Sequence, residues 1–192
     1  LGLVGSEMCI RDSFSSDITA HLEEHSLEVQ LPFMLFTFQK EFKIVPITMM
    51  DQRLRTAREI AGIIADIMDE SSKDIIVIAS SDMSHYVPHE EAYDRDWMAL
   101  EKAERLDVEG FYEVIETENV SACGVGPIAI AMLVAKFFNK RGAVLQYYTS
   151  GDITGDKGLV VGYASIIYGD LMIIPRRAKR KKEAIYEAPL IA

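Results

Sequence analysis

Eight residues constrain this chain more than any others. "DIIVIASS", residues 74–81, runs through five apolar positions without alternation, the pattern of a strand buried on both faces. Before it, over 52–69, Leu54, Ala57, Ile60, Ala61, Ile64 and Ile67 share one helical face. After it come a polar loop, "DMSHYVPHE", and a second helical stretch over 90–105. A buried run between two helices predicts the central parallel strand of an α/β sheet.

The rest of the chain keeps the alternation. "FKIVPITM", "AVLQYYTS" and "LVVGYASIIYG" read as strands. A short helix is predicted over 107–116, and an apolar one over 126–140 with Pro127 in its first turn. Over 23–39, Leu27, Leu31, Met34, Leu35 and Phe38 fall at helical spacing, with Pro32 expected to kink or divide that helix. The fold class predicted is α/β: a layered sheet with helices on both faces.

The two ends look foreign to this body. "LGLVGSEMCIRDS" has neither period and resembles translated sequencing-adapter read-through. Residues 1–13 are therefore predicted to be non-native, Cys9 is assigned no function, and the protein is expected to have continued upstream of Phe14. Residues 171–192 carry "RRAKRKK", which holds six of the 20 basic residues, and are predicted to be a mobile tail. Residues 14–170 form the predicted domain. Its balance is more acidic than the net charge of −10 shows, which disfavours nucleic acid and anionic membrane as partners. Two cysteines make no disulfide framework, and a reducing cytoplasm is the expected compartment.

Ligands of open α/β sheets bind beyond the carboxyl ends of the strands. Ser80, Ser81, Asp82, Ser84 and His85 fall there. His85 and Asp82 can transfer protons or orient a ligand; equally, Asp82 and Ser84 can simply cap a loop. Cys123, in "SACGVGP" before a predicted helix, is either a small core thiol or a thiolate favoured by the helix N-terminus. "HLEEH" places His21 and His25 four residues apart, without the order of the H-E-x-x-H zinc signature. His21 reads as surface. His25 could meet His85 or Cys123 in space. His89 reads as surface or pocket rim, and Asp152 and Asp156 as turn residues that could border the same cleft.

Five blocks in order, "EEHSLEVQLPF", "KIVPITM", "IASSDMSHYVPHE", "SACGVGP" and "SGDITGDKGLVVGYAS", carry a resemblance that runs from about Thr19 to Gly169. They resemble the MEMO-like proteins, called AmmeMemoRadiSam system protein B in prokaryotes and related in fold to the class III extradiol dioxygenases. The resemblance implies that His25 and Cys123 are metal ligands and that His85, with Asp82, serves proton transfer or substrate orientation. It implies iron or copper, a small-molecule substrate, and a functional link to a radical SAM protein and an AMMECR1-like protein. A metal-dependent redox enzyme is the function expected; the alternative is a peptide- or ligand-binding signalling module using the same pocket. The family's "Pro-His-Ala-Gly-Tyr" block, with a further ligand histidine, has no counterpart here. One ligand and the N-terminal strand or strands of the sheet are therefore expected to be missing, leaving apolar edges open to aggregation. Thiolate in place of carboxylate softens the site and admits copper(I), so ring cleavage does not follow from the fold.

Overall fold

In a computed structural model, which describes residues 14–16, 19–22 and 24–170, helix formation follows the apolar spacing with one shift. The segment predicted as a helix over 23–39 forms only a 3-10 turn, Glu28–Gln30, and helix α1, Leu31–Phe38. Pro32 does not kink it. The proline lies in the first turn, where its missing N–H has no intrahelical partner to lose, so it starts the helix. The predicted segments 1–13 and 171–192, with Cys9, lie outside the described residues.

Helix α2, Leu54–Glu70, buries Ala57, Ile60, Ala61 and Ala65. Steps of three and four place them in one stripe, and that stripe packs on α5, Val125–Phe137. Helix α3, His89–Glu104, starts directly after Pro88 and buries Ala92, Asp96, Trp97, Ala99, Leu100 and Ala103. Helix α4, Val108–Thr117, is capped by Asp107, whose carboxylate accepts from the Gly110 N–H at 3.0 Å. Phe111, Leu100 and Met132 are the largest side chains fully enclosed between these helices and the sheet.

The sheet has three strands among the described residues: β1, His85–Val87; β2, Arg141–Thr149; and β3, Val160–Gly169. Their order is β1–β3–β2, and both pairings are antiparallel. A short connection made by α6, Ser150–Thr154, returns β2 onto β3, which only antiparallel strands allow. A capping box between Thr149 and Asp152 starts α6, and Gly155, at φ 81°, ends it. Helix α3 lies against β2 and β3. The mixed α/β class holds.

Two strand expectations do not hold. Residues 74–81 and the "FKIVPITM" segment belong to no ladder. A strand needs a neighbour to take its N–H and C=O groups, and no described residue pairs with these segments. Several of their β-branched side chains stay exposed, Val45 at 84% and Ile76 at 66%, while Val77 is half-buried against the core. The exposure extends to Phe33, Leu35 and Phe36 of α1, and no described residue before Ala57 is buried. No helix among the described residues is long and apolar enough to cross a membrane.

Candidate functional site

The loop after residue 80 reaches the sheet through reciprocal backbone bonds. Met83 N–H donates to Gly162 C=O at 2.8 Å, and Gly162 N–H donates to Ser84 C=O at 2.8 Å. These bonds deliver His85 to the start of β1, opposite Val161. The next residue, Tyr86, has φ 56°. A bulky side chain in left-handed backbone costs about 1–3 kcal/mol and persists only where its surroundings hold it.

His85 is engaged at three atoms. Its backbone N–H donates to Ser121 Oγ at 2.7 Å, and its Nδ1 lies 2.6 Å from Ser121 C=O. A carbonyl only accepts, so Nδ1 carries a hydrogen. Nε2 then faces Asp82 Oδ2 at 2.8 Å. Both side chains are about three-quarters enclosed. The other carboxylate oxygen, Asp82 Oδ1, is buried with no hydrogen-bond partner among the described residues.

Cys123 completes the cluster. Its Sγ lies 3.9 Å from Ser81 Oγ, and Ser81 Oγ accepts from the Gly124 N–H at 2.9 Å. Gln52 clamps the same turn, donating from Nε2 to Cys123 C=O at 2.8 Å and accepting from the Gly126 N–H at 3.0 Å. A side chain at position 124 would put Cβ 2.7 Å from Ser80 C=O, so the loops meet this closely only because Gly124 has none. Cys123 presents surface to solvent, yet desolvation of its thiol, and then the nearby Asp82 carboxylate, push the thiol above its ordinary range. Burial and an adjacent negative charge both disfavour the thiolate.

Beside Cys123 opens a cavity of about 160 Å³, lined by Leu27, Met49, Ile78, Ser80 and Gly124 among others. The hydroxyl of Ser80 donates to Ser26 C=O at 2.7 Å and accepts from Gln30 Nε2 at 3.0 Å, tying the 24–30 segment to the cavity wall.

Asp82, His85 and Cys123 are thus brought together, whereas His25 stands apart. Its side chain is 78% exposed, and its Nδ1 pairs with Glu28 Oε2 at 3.6 Å. His21 ends the 3-10 turn Thr19–His21, with no buried residue around it. His89, expected at a surface or rim, is instead buried. Its Nδ1 lies 2.8 Å from Thr149 Oγ1, and its Nε2 lies 3.9 Å from Asp152, which also accepts from Tyr93 OH at 3.2 Å. Asp152 and Asp156 are turn residues, capping α6 and accepting from the Gly158 N–H at 3.0 Å.

Sequence reading missed Asp96. It is fully buried, accepting from Ser84 Oγ at 2.6 Å, from Tyr147 OH at 2.6 Å and from the Ser84 N–H at 3.2 Å. The available signal was its place on the apolar stripe of α3, four residues after Ala92 and four before Leu100.

A model of Memo-like proteins matches residues 6–167. The chain belongs to the Memo-like family. Relatives described as MEMO1 family proteins bear this out. The one from Sulfurisphaera tokodaii is 48% identical over 164 residues, 84% of this chain and 58% of the relative. The one from Sulfolobus acidocaldarius is 45% identical over 154 residues, 80% of this chain and 54% of the relative. The one from Methanopyrus kandleri is 44% identical over 153 residues, 79% of this chain and 54% of the relative. The chain spans little more than half the length of these relatives.

The Memo-like motifs imply a metal, and the described donors do not fit one. Among the described residues no three His, Cys, Asp or Glu side chains converge on a common point. Both ring nitrogens of His85 are already engaged, and His25 is turned to solvent. Cys123 and Asp82 remain, fewer than the three or four protein ligands of typical iron, copper or zinc sites.

Proposed function

We propose that this Memo-like chain carries the proton-handling side of a small-molecule site. The observation behind the reading is the Asp82–His85 pair, held on Ser121 C=O two residues before Cys123, which itself lines the cavity. A ligand in the cavity meets the Cys123 thiol. The thiol contacts Ser81 Oγ at 3.9 Å; from the next residue, Asp82 Oδ2 lies 2.8 Å from His85 Nε2, and His85 Nδ1 is anchored on Ser121 C=O. Such a chain can take a proton from a bound group or return one. Asp82 Oδ1, buried and without a hydrogen-bond partner among the described residues, keeps an open acceptor in this group.

A redox reaction dependent on iron or copper is the fuller form of this reading. It needs donors beyond Cys123 and Asp82, supplied from outside the described residues. In the relatives, nearly half the polypeptide lies outside the matched region.

Small aromatic and aliphatic fragments, followed by ligand-detected NMR, test the reading on the chain itself, with metal content measured after growth in iron- and copper-supplemented medium. The expected result is a fragment that binds the parent chain and loses at least tenfold in affinity in Cys123→Ser and in Asp82→Asn. Unchanged binding in both variants overturns the site. Binding of phosphotyrosine peptides to metal-free protein, independent of Cys123, supports the binding-module alternative in its place.

A further inference from the structure

A fully buried carboxylate needs donors to offset its lost hydration. Asp96 has them from two directions. Ser84, just ahead of β1, supplies its hydroxyl at 2.6 Å and its backbone N–H at 3.2 Å to both oxygens; Tyr147, on β2, supplies its phenol at 2.6 Å. The intervening strand is cut away for this meeting. On β3, a side chain at Gly162 would place Cβ 2.7 Å from Tyr147 Oη and in collision with Asp96 Oδ2. Gly162 also makes both backbone bonds that flank Ser84. The strained Tyr86 follows His85 directly, so the backbone on each side of His85 is held by its surroundings rather than by its own preference. Burial raises the Asp96 carboxyl above its usual range, while the Ser84 and Tyr147 bonds and the nearby His85 oppose that rise.

We propose that Asp96 is a positioning residue for the His85–Asp82 pair, acting through Ser84. It locks Ser84 against α3 by its N–H and hydroxyl, so that the imidazole of the next residue stands between Ser121 C=O and Asp82. The proposal rests on the reading of that pair as the proton-holding part of the site and names what aims it.

The test reads the His85 ring directly in the ¹⁵N-labelled chain. The ring N–H facing Ser121 is identified by its disappearance in His85→Gln. In the parent chain this proton is expected to be protected from exchange with water. Asp96→Asn and Ser84→Ala are expected to speed its exchange at least tenfold or erase its signal. Val108→Ala, a truncation of a fully buried residue on α4, is expected to lower stability and leave the ring proton unchanged. Should Asp96→Asn fail to fold, Ser84→Ala decides. Unchanged protection in Ser84→Ala, or equal loss in Val108→Ala, overturns the proposal. The readout needs no activity. The expected loss of protection alongside unaltered fragment binding in Cys123→Ser and Asp82→Asn would remove the functional reading and leave the positioning role standing.

Discussion

His85 and Ser121 lie 36 positions apart in the chain, yet two atoms of each meet: N–H to Oγ at 2.7 Å and Nδ1 to C=O at 2.6 Å. The pairing joins the start of β1 to the turn that carries Cys123. Replacing Ser121 by alanine keeps the carbonyl and removes the hydroxyl. The cost expected is about 1 kcal/mol, measured as a lower urea midpoint with an unchanged slope.

Gly162→Ala is expected to cost more. The added methyl group meets the Asp96 carboxylate and the Tyr147 phenol, both enclosed, so the strand or the network must shift. Overpacking of this kind costs about 3 kcal/mol. Urea titration gives the loss, and Tyr147→Phe in the same background should recover part of it by freeing space at the phenol.

The thiol of Cys123 should react slowly at neutral pH. Alkylation requires the thiolate, and desolvation and Asp82 hold the folded thiol above its ordinary range. In a Cys9→Ser background, iodoacetamide labelling should lag behind that of the urea-unfolded chain at pH 8. Asp82→Asn should speed labelling, since removing the carboxylate's charge raises the thiolate fraction at this pH. The linked effect on stability has a definite sign. The unfolded thiol ionises near pH 8.5, below the folded one. The stability contributed by the neutral thiol is complete below about pH 8.5 and is lost as pH rises through the folded value.

Two phenylalanines should respond oppositely to truncation. Phe111 has no exposed surface, and Phe111→Ala should cost about 3–5 kcal/mol. Phe36 is 80% exposed, and Phe36→Ala should change stability by no more than about 0.5 kcal/mol. The exposed apolar set of Phe33, Leu35, Phe36 and Val45 should bind anilinonaphthalene sulfonate in the folded chain. Phe36→Ser with Leu35→Ser should lower that fluorescence without lowering the melting temperature.

Local periodicity determined much of this protein. The stripes of α2 and α3, the strands β2 and β3, and the start at Pro127 follow from side-chain spacing and from proline's missing donor, which act within a few residues. Five ordered motifs also carried the Memo-like family. Pairing and enclosure were beyond that reach. "DIIVIASS" has the composition of a central strand, but a strand exists only where another backbone takes its hydrogen bonds, and the described chain offers it none. Asp96 sits on the apolar stripe of α3, but its donors, Ser84 and Tyr147, are 12 and 51 positions away and were not legible from spacing. The same distance in sequence hid the divergence of the two histidines. His25 and His85 belong to equally strong motifs, yet the fold gives His85 to Ser121 and Asp82 and leaves His25 beside Glu28 in water. Spacing along the chain selects which elements form; which side chains share a site depends on contacts between elements, and those are decided only when the elements pack.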